Sequence, residues 1–327
     1  LGVCEGGAGG GSGGGSATGG GSATGGGSGG GSGTAGGSGT AGGSGTAGGS
    51  GTAGGSGTAG GAGGAPAACG AGARTNHLLI NEVSVTPTEA EYVEIYNPTG
   101  STIDLSQYYL YNATFVSAAA ATSCHYRDTV TGNPCGGAFN DFAVQFPAGA
   151  SIGPGAVQTI AVAGAADYCA NVGLCDAGVF PTYEILLTGN GDFGNVANMR
   201  GNADVDGGAN TGLLTNGSEE LVLFQWDGVS PLVRDVDYVI WGASLIVRTD
   251  KTGVSTYLPD TPVGSQRAIG GTATLTTSWQ RLCSNEATET AGGGNGITGH
   301  NETSEPLDVS WTMGPRTPGA LTVNQGP

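Results

Sequence analysis

One stretch of the chain has residue types and spacing suited to metal chemistry. In "GNADVDGGAN", Asn202, Asp204 and Asp206 stand at alternate positions ahead of Gly207. Alternate oxygen ligands followed by a glycine turn are how calcium loops begin. The twelfth position is Leu213 rather than the bidentate glutamate of an EF-hand. The expectation is therefore a calcium ion whose coordination is completed from elsewhere, weighed against a plain polar insertion loop.

Other reactive residue types lack a comparable setting. His77, His125 and His300 are scattered, none in a metal spacing such as H-E-x-x-H, and G-x-S-x-G, which occurs at 149–153 and inside the glycine tract, is followed in neither place by the helical period of a nucleophile turn. Glutamate and aspartate are plentiful enough for a glycosidase-like pair, yet acidic side chains on a β-sheet surface are ordinarily solvated. No catalytic residue is assigned, and the chain is expected not to be an enzyme.

Seven cysteines, at 4, 69, 124, 135, 169, 175 and 283, show neither zinc spacing nor C-x-x-C. They read as a disulfide framework from an oxidising compartment. Cys124 with Cys135, and Cys169 with Cys175, each bracket a short loop and are the expected local bridges. The odd total leaves a thiol free or bonded to another chain, and Cys4 and Cys69, which flank a glycine tract, are the candidates.

The elements that would position these residues fall into two compositions. Of 69 glycines, 35 lie in residues 1–64, whereas all nine basic and all but one of the 26 acidic residues lie beyond. The formal net charge of -17 repels phosphate backbones and anionic lipid heads, so nucleic acid and membrane surfaces are set aside as partners. No apolar run is long enough to span a bilayer. A secreted or cell-surface protein whose signal peptide has been removed is expected.

Within residues 1–64 the phrase GTAGGS occurs four times from Gly33 and once more with Ala62 in place of Ser. Every third residue is glycine: Gly27, Gly30, Gly33, Gly36, Gly39, Gly42, Gly45, Gly48, Gly51, Gly54, Gly57, Gly60 and Gly63. That is the period of a polyglycine II helix, with a bare stripe flanked by Ser, Thr and Ala. Ordering glycine costs about 1–2 kcal/mol per residue in backbone entropy, so such a helix needs neighbouring chains to accept its N–H groups. A silk-like sheet also fits the six-residue repeat, and a flexible Gly/Ser stalk is the simpler alternative.

After a linker at 65–76 the character changes. "HLLINEVSV", "EYVEIYNPTG", "VQTIAVAG", "SEELVLFQWDG" and "RDVDYVIWG" alternate apolar and polar residues and end in turn formers, as half-buried strands do. No segment sustains a helical period, which predicts an all-β antiparallel sandwich or barrel over 77–320, with a tail at 321–327.

"LLINEVSV", "EYVEIYNPTGSTIDLSQYYLY", "FPAGASIGPGAVQTIAV", "SWQRL", "GHNETSEPLDVSW" and "RTPG" follow one another as the segments of a lamin tail domain do, and the chain resembles that family. The resemblance implies an immunoglobulin-like β-sandwich, here lengthened by insertions near 113–142 and 165–212. Within it, Asn97-Pro98-Thr99-Gly100 should form a turn with Gly100 at positive φ. Glu91, Glu94 and Asp104 should face outward, and Tyr92, Ile95, Leu105 and Tyr109 toward the core or its rim.

The resulting expectation is a secreted structural subunit that self-associates through the glycine tract into an extracellular filament, the sandwich decorating or linking it. The alternative is a monomeric adhesion module that binds a cell-surface or matrix partner from a flexible stalk.

Overall fold

A computed structural model of the chain describes residues 75–112, 125–131, 142–186, 193–202 and 214–323. Two units divide the chain, Leu1–Thr58 and Ala59–Pro327, and every described residue belongs to the second. The glycine stripe, Cys4, Cys69, Cys124, Cys135, Asp204 and Asp206 lie outside the described residues.

The described fold is mostly β-sheet. Its first part supplies β1 (Leu79–Ser84), β2 (Tyr92–Tyr96), β3 (Ile103–Asp104), β4 (Tyr108–Tyr111), β5 (Ala143–Gln145), β6 (Ser151–Ile152) and β7 (Val157–Ala161). After helix α1 (Ala165–Val172) come β8 (Tyr183–Glu184), β9 (Ala197–Asn198), β10 (Arg200–Asn202), β11 (Glu219–Gln225) and β12 (Arg234–Trp241). The rest holds β13 (Thr277–Arg281), β14 (Thr290–Ala291), β15 (His300–Asn301), the short helix α2 (Leu307–Ser310) and β16 (Trp311–Pro315).

A seven-stranded sheet runs β16-β13-β1-β2-β7-β8-β9, and a five-stranded sheet runs β10-β5-β4-β11-β12. Ile80, Val93 and Ile160 from the first share one hydrophobic core with Leu110, Leu221 and Val239 from the second. At its centre the rings of Trp241 and Trp279 lie 5.3 Å apart. The expected all-antiparallel pairing holds except at β7–β8 and β8–β9, which are parallel. Parallel neighbours need a crossover, and the segment containing α1 supplies it between β7 and β8. That helix was not foreseen, since eight residues are too few to declare a helical period.

The strand alternation predicts one wet face on β1 and β2, but both strands are buried throughout. Two segments cover the outer face. Helix α1 sets Tyr168 edge-on against Tyr92, with ring centroids 5.9 Å apart. The chain after β16 brings Val323 onto Leu79 and Tyr96.

Glu94, expected in solvent, is thus roofed over. Its carboxylate accepts hydrogen bonds from Thr159 Oγ1 at 2.7 Å, Asn81 Nδ2 at 3.1 Å and the Gly319 amide at 2.5 Å. Glu91 is buried as well, taking the Leu214 amide at 3.0 Å. Asp104 is exposed, and Ile95, Leu105 and Tyr109 belong to the shared core, as expected, whereas Tyr92 lies on the outer face of its sheet and is buried there by Tyr168. The turn at 97–100 is organised by the Asn97 side chain, which accepts from the Thr99 amide at 2.9 Å and donates to Ile152 O at 3.0 Å. Gly100 does not take the positive φ expected of it, because this side-chain bonding closes the turn without one.

Burial and the nearby Glu82 charge raise the Glu94 carboxyl to about 8, against the pull of its three donors. A folded-state value above the unfolded one means that the native protein holds the extra proton between roughly pH 4.5 and 8. Stability should therefore fall as pH rises through that window, by up to about 1.4 kcal/mol per pH unit from this group. The neutral variant Glu94→Gln removes this slope. Urea unfolding at pH 5, 6, 7 and 8 should show the variant gaining steadily on the parent; a constant difference would mean that Glu94 titrates normally.

Candidate functional site

The described residues contain a concentration of buried charge where β12, β13 and the approach to β1 meet. Arg281, the last residue of β13, is fully buried and directs its fork at two carboxylates. Its Nη2 lies 2.6 and 2.7 Å from the oxygens of Asp237 on β12, and Nη1 lies 2.8 Å from Glu305 Oε1. Nε donates to Ile80 O at 2.8 Å, and the guanidinium stands 5.0 Å from the centre of the Trp311 ring. Asp237 Oδ2 also accepts the Ile80 amide at 2.5 Å, joining the two sheets. Burial pushes the Asp237 carboxyl up to about 7 even against Arg281, and it raises Glu305 too.

Beside this triad, Glu286 ties down the chain entering β1. Its Oε2 lies 2.9 Å from His77 Nε2 and accepts from Thr75 Oγ1 at 3.0 Å. The Thr75 amide donates to Ser284 O at 2.9 Å. Burial works against the Glu286 charge, yet His77 holds the carboxyl below its usual range.

Glu289 and Glu302 complete the cluster and have no such support. Both are buried, and neither oxygen of either carboxylate has a hydrogen-bond partner; Glu286 Oε1 and Glu305 Oε2 are unpartnered too. Burial first, and the Glu286 charge second, raise Glu289 to about 11. Burial and the Glu289 charge lift Glu302 well above the carboxylate range. His300 Nδ1 stands 3.5 Å from Glu289 Oε2 at the rim. His77, Glu286 and Glu302 each place one ligand-capable atom within 4.8 Å of the others, and so do Asp237, Glu286 and Glu305.

A second buried cluster, around Lys251, is satisfied. Lys251 Nζ lies 2.8 Å from Asp235 Oδ2 and 3.1 Å from Asp260 Oδ1 and donates to Tyr126 Oη, which itself donates to Asp235 Oδ1 at 3.0 Å. Burial alone would strip the ammonium of its proton, but Asp235 and Asp260 hold it charged. Every Lys251 donor has a partner here, so the cluster pins the irregular segment 244–262 to β12.

Of the residues singled out by spacing, Asn202 ends β10 with its backbone opposite Ala143. Its companions Asp204 and Asp206 lie outside the described residues. Cys169 and Cys175 are bridged, with Cα atoms 5.2 Å apart, fastening α1 to the turn that follows it. Cys283 is also disulfide-bonded. The histidines are less scattered than they look, because His77 and His300 flank the acidic cluster. A sequence signal for that cluster exists but was not read: Glu286-x-x-Glu289 and Glu302-x-x-Glu305 repeat one spacing on either side of a glycine-rich loop.

No protein-family model matches this chain, and no curated protein matches it. Among solved structures it is similar to a DUF4876 family protein from Bacteroides thetaiotaomicron VPI-5482, at 16% identity and a TM-score of 0.36, over 69% of this chain and 67% of that one. No helix among the described residues is long and apolar enough to cross a membrane.

Proposed function

We propose that this chain is a structural subunit of an extracellular filament or surface fibre. Assembly runs through the glycine tract, and the β unit, an immunoglobulin-like sandwich of the lamin-tail kind, decorates or links the fibre. The observation that carries this reading is the position of β1. It is the first described strand after the tract, and it is internal to its sheet, paired with β13 on one side and β2 on the other. Its approach is held by the Thr75 and His77 contacts to Ser284 and Glu286. Tension arriving along the chain from the tract must break two ladders at once, whereas an edge strand would peel along one. A module built this way suits a subunit that carries load from its N-terminal side.

The test lies in the tract. As a packed polyglycine II helix, residues 6–64 would extend about 180 Å at ~3.1 Å per residue, with neighbouring backbones approaching along the bare stripe. Gly45→Val puts a β-carbon on that stripe and should abolish assembly in sedimentation or electron microscopy. Thr46→Val, one residue away on a side-chain stripe, should assemble like the parent. A flexible stalk predicts that the two variants behave alike, and that result would remove the fibre reading.

A further inference from the structure

We propose that the buried acidic cluster of Glu286, Glu289, Glu302 and Glu305 is a divalent cation site of the calcium class. Six carboxylate oxygens of the cluster lack any hydrogen-bond partner: Glu286 Oε1, both oxygens of Glu289, both of Glu302, and Glu305 Oε2. Glu286 lies within 4.8 Å of Glu302 in one group of ligand-capable atoms and of Glu305 in another. Glu302 is 2% exposed, so its oxygens have no recourse to bulk water. Leaving a buried carboxylate unsatisfied costs far more than leaving a neutral polar group so, and this cluster has two such side chains side by side.

The protein's own cations do not answer them. Arg281 is spent on Asp237 and one oxygen of Glu305, His77 is turned to Glu286 Oε2, and the part-exposed His300 comes no nearer than 3.5 Å to Glu289 Oε2 without hydrogen-bonding it. The contrast with Lys251, where buried carboxylates and ammonium are matched, shows how this same fold neutralises charge when a side chain does the work. Six oxygens from flexible carboxylates match what calcium accepts, whereas magnesium prefers to keep waters in a strict octahedron. With no cysteine at hand and His77 already engaged, a softer metal has less to hold it.

The loop over the site fits the same role. A β-carbon on Gly296 would come within 2.3 Å of Glu302 Oε1, so the bare backbone there lets the carboxylate sit against the loop. Gly294 and Gly296 also border an open pocket of about 300 Å³ that includes Arg234 and Asn295. The site is separate from the Asn202, Asp204 and Asp206 stretch, and it does not depend on how the glycine tract behaves.

The experiment uses the full chain, stripped with a chelator and then titrated with calcium, magnesium or zinc while melting is followed. Calcium at a hundredfold over its Kd should raise Tm by roughly 5–10 °C, with heat of binding for one ion at this site in calorimetry. Glu302→Gln and Glu289→Gln should lose that rise. In chelator both should melt no lower than the parent, because each replaces an unpartnered buried carboxyl with a neutral amide of the same shape and leaves the fold intact. Asp204→Asn with Asp206→Asn should keep the rise. The proposal is overturned if no metal moves Tm or gives heat, or if the rise survives Glu302→Gln and disappears with the 204/206 pair. Stabilisation by zinc in preference to calcium, lost in His77→Ala, would overturn the calcium assignment.

Discussion

Replacing Arg281 by alanine should cost the β unit about 3–5 kcal/mol, because it strands Asp237 and Glu305 as buried charges with no cationic partner. Arg281→Met, which keeps apolar volume in place of the stem, should recover only the packing share. The pH dependence carries the diagnosis. Asp237 already titrates near 7 because burial outweighs its bonds, and without Arg281 both carboxyls should rise further. The native variant would then hold more protons than the unfolded chain across neutral pH, so its stability falls with rising pH more steeply than the parent's. Urea unfolding should show the largest loss near pH 8 and a much smaller one near pH 5, where the stranded carboxyls are neutral. A loss below about 1 kcal/mol, or one independent of pH, would mean that the triad is not the charged arrangement described.

A chain ending at Pro315 should be destabilised by roughly 5 kcal/mol or more. Glu82 would lose the Thr317 amide at 2.9 Å and Thr317 Oγ1 at 2.6 Å, and Glu94 would lose the Gly319 amide. Hydrogen bonds to charged groups contribute about 1.5–3 kcal/mol each. The same cut exposes Leu79 and Tyr96 by removing Val323. Thr317→Val isolates one of these terms: it deletes the hydroxyl donor and keeps the amide, so it should cost about 1.5–3 kcal/mol. Thermal or urea unfolding that ranks the truncation well above Thr317→Val supports a structural roof. Parent-like melting of the truncated chain would show that residues 316–323 merely lie on the surface.

Much of the scaffold was legible in the chain. "LINEVS", "YVEIY", "EELVLFQ" and "RDVDYVIW" each form the strand that their alternation predicts. The loop between Cys169 and Cys175 closes as its shortness suggests. Glu91 and Glu94 defeated the same rules, because alternation reports which side of a strand a residue occupies and is blind to what covers that side. The acidic cluster was missed for a related reason. Glu286, Glu289, Glu302 and Glu305 look like solvated loop residues until the loop between them folds back and β1 delivers His77 from the far end of the unit.

By itself, then, the sequence determined what depends on near neighbours. Those properties are the threefold glycine period and its break at residue 65, the strand positions, the turn at Asn97, and the local cysteine pair. Each follows from backbone sterics or side-chain periodicity acting over a few residues. Only the tertiary structure decided which charges are dry. The roof over Glu82 and Glu94 comes from residues 316–323, the partners of Arg281 come from another sheet and a distant loop, and β8 pairs in parallel with β7 because the segment containing α1 crosses between them. Burial is a property of segments meeting across long stretches of chain, and burial is what turns an ordinary glutamate into an unmatched ligand.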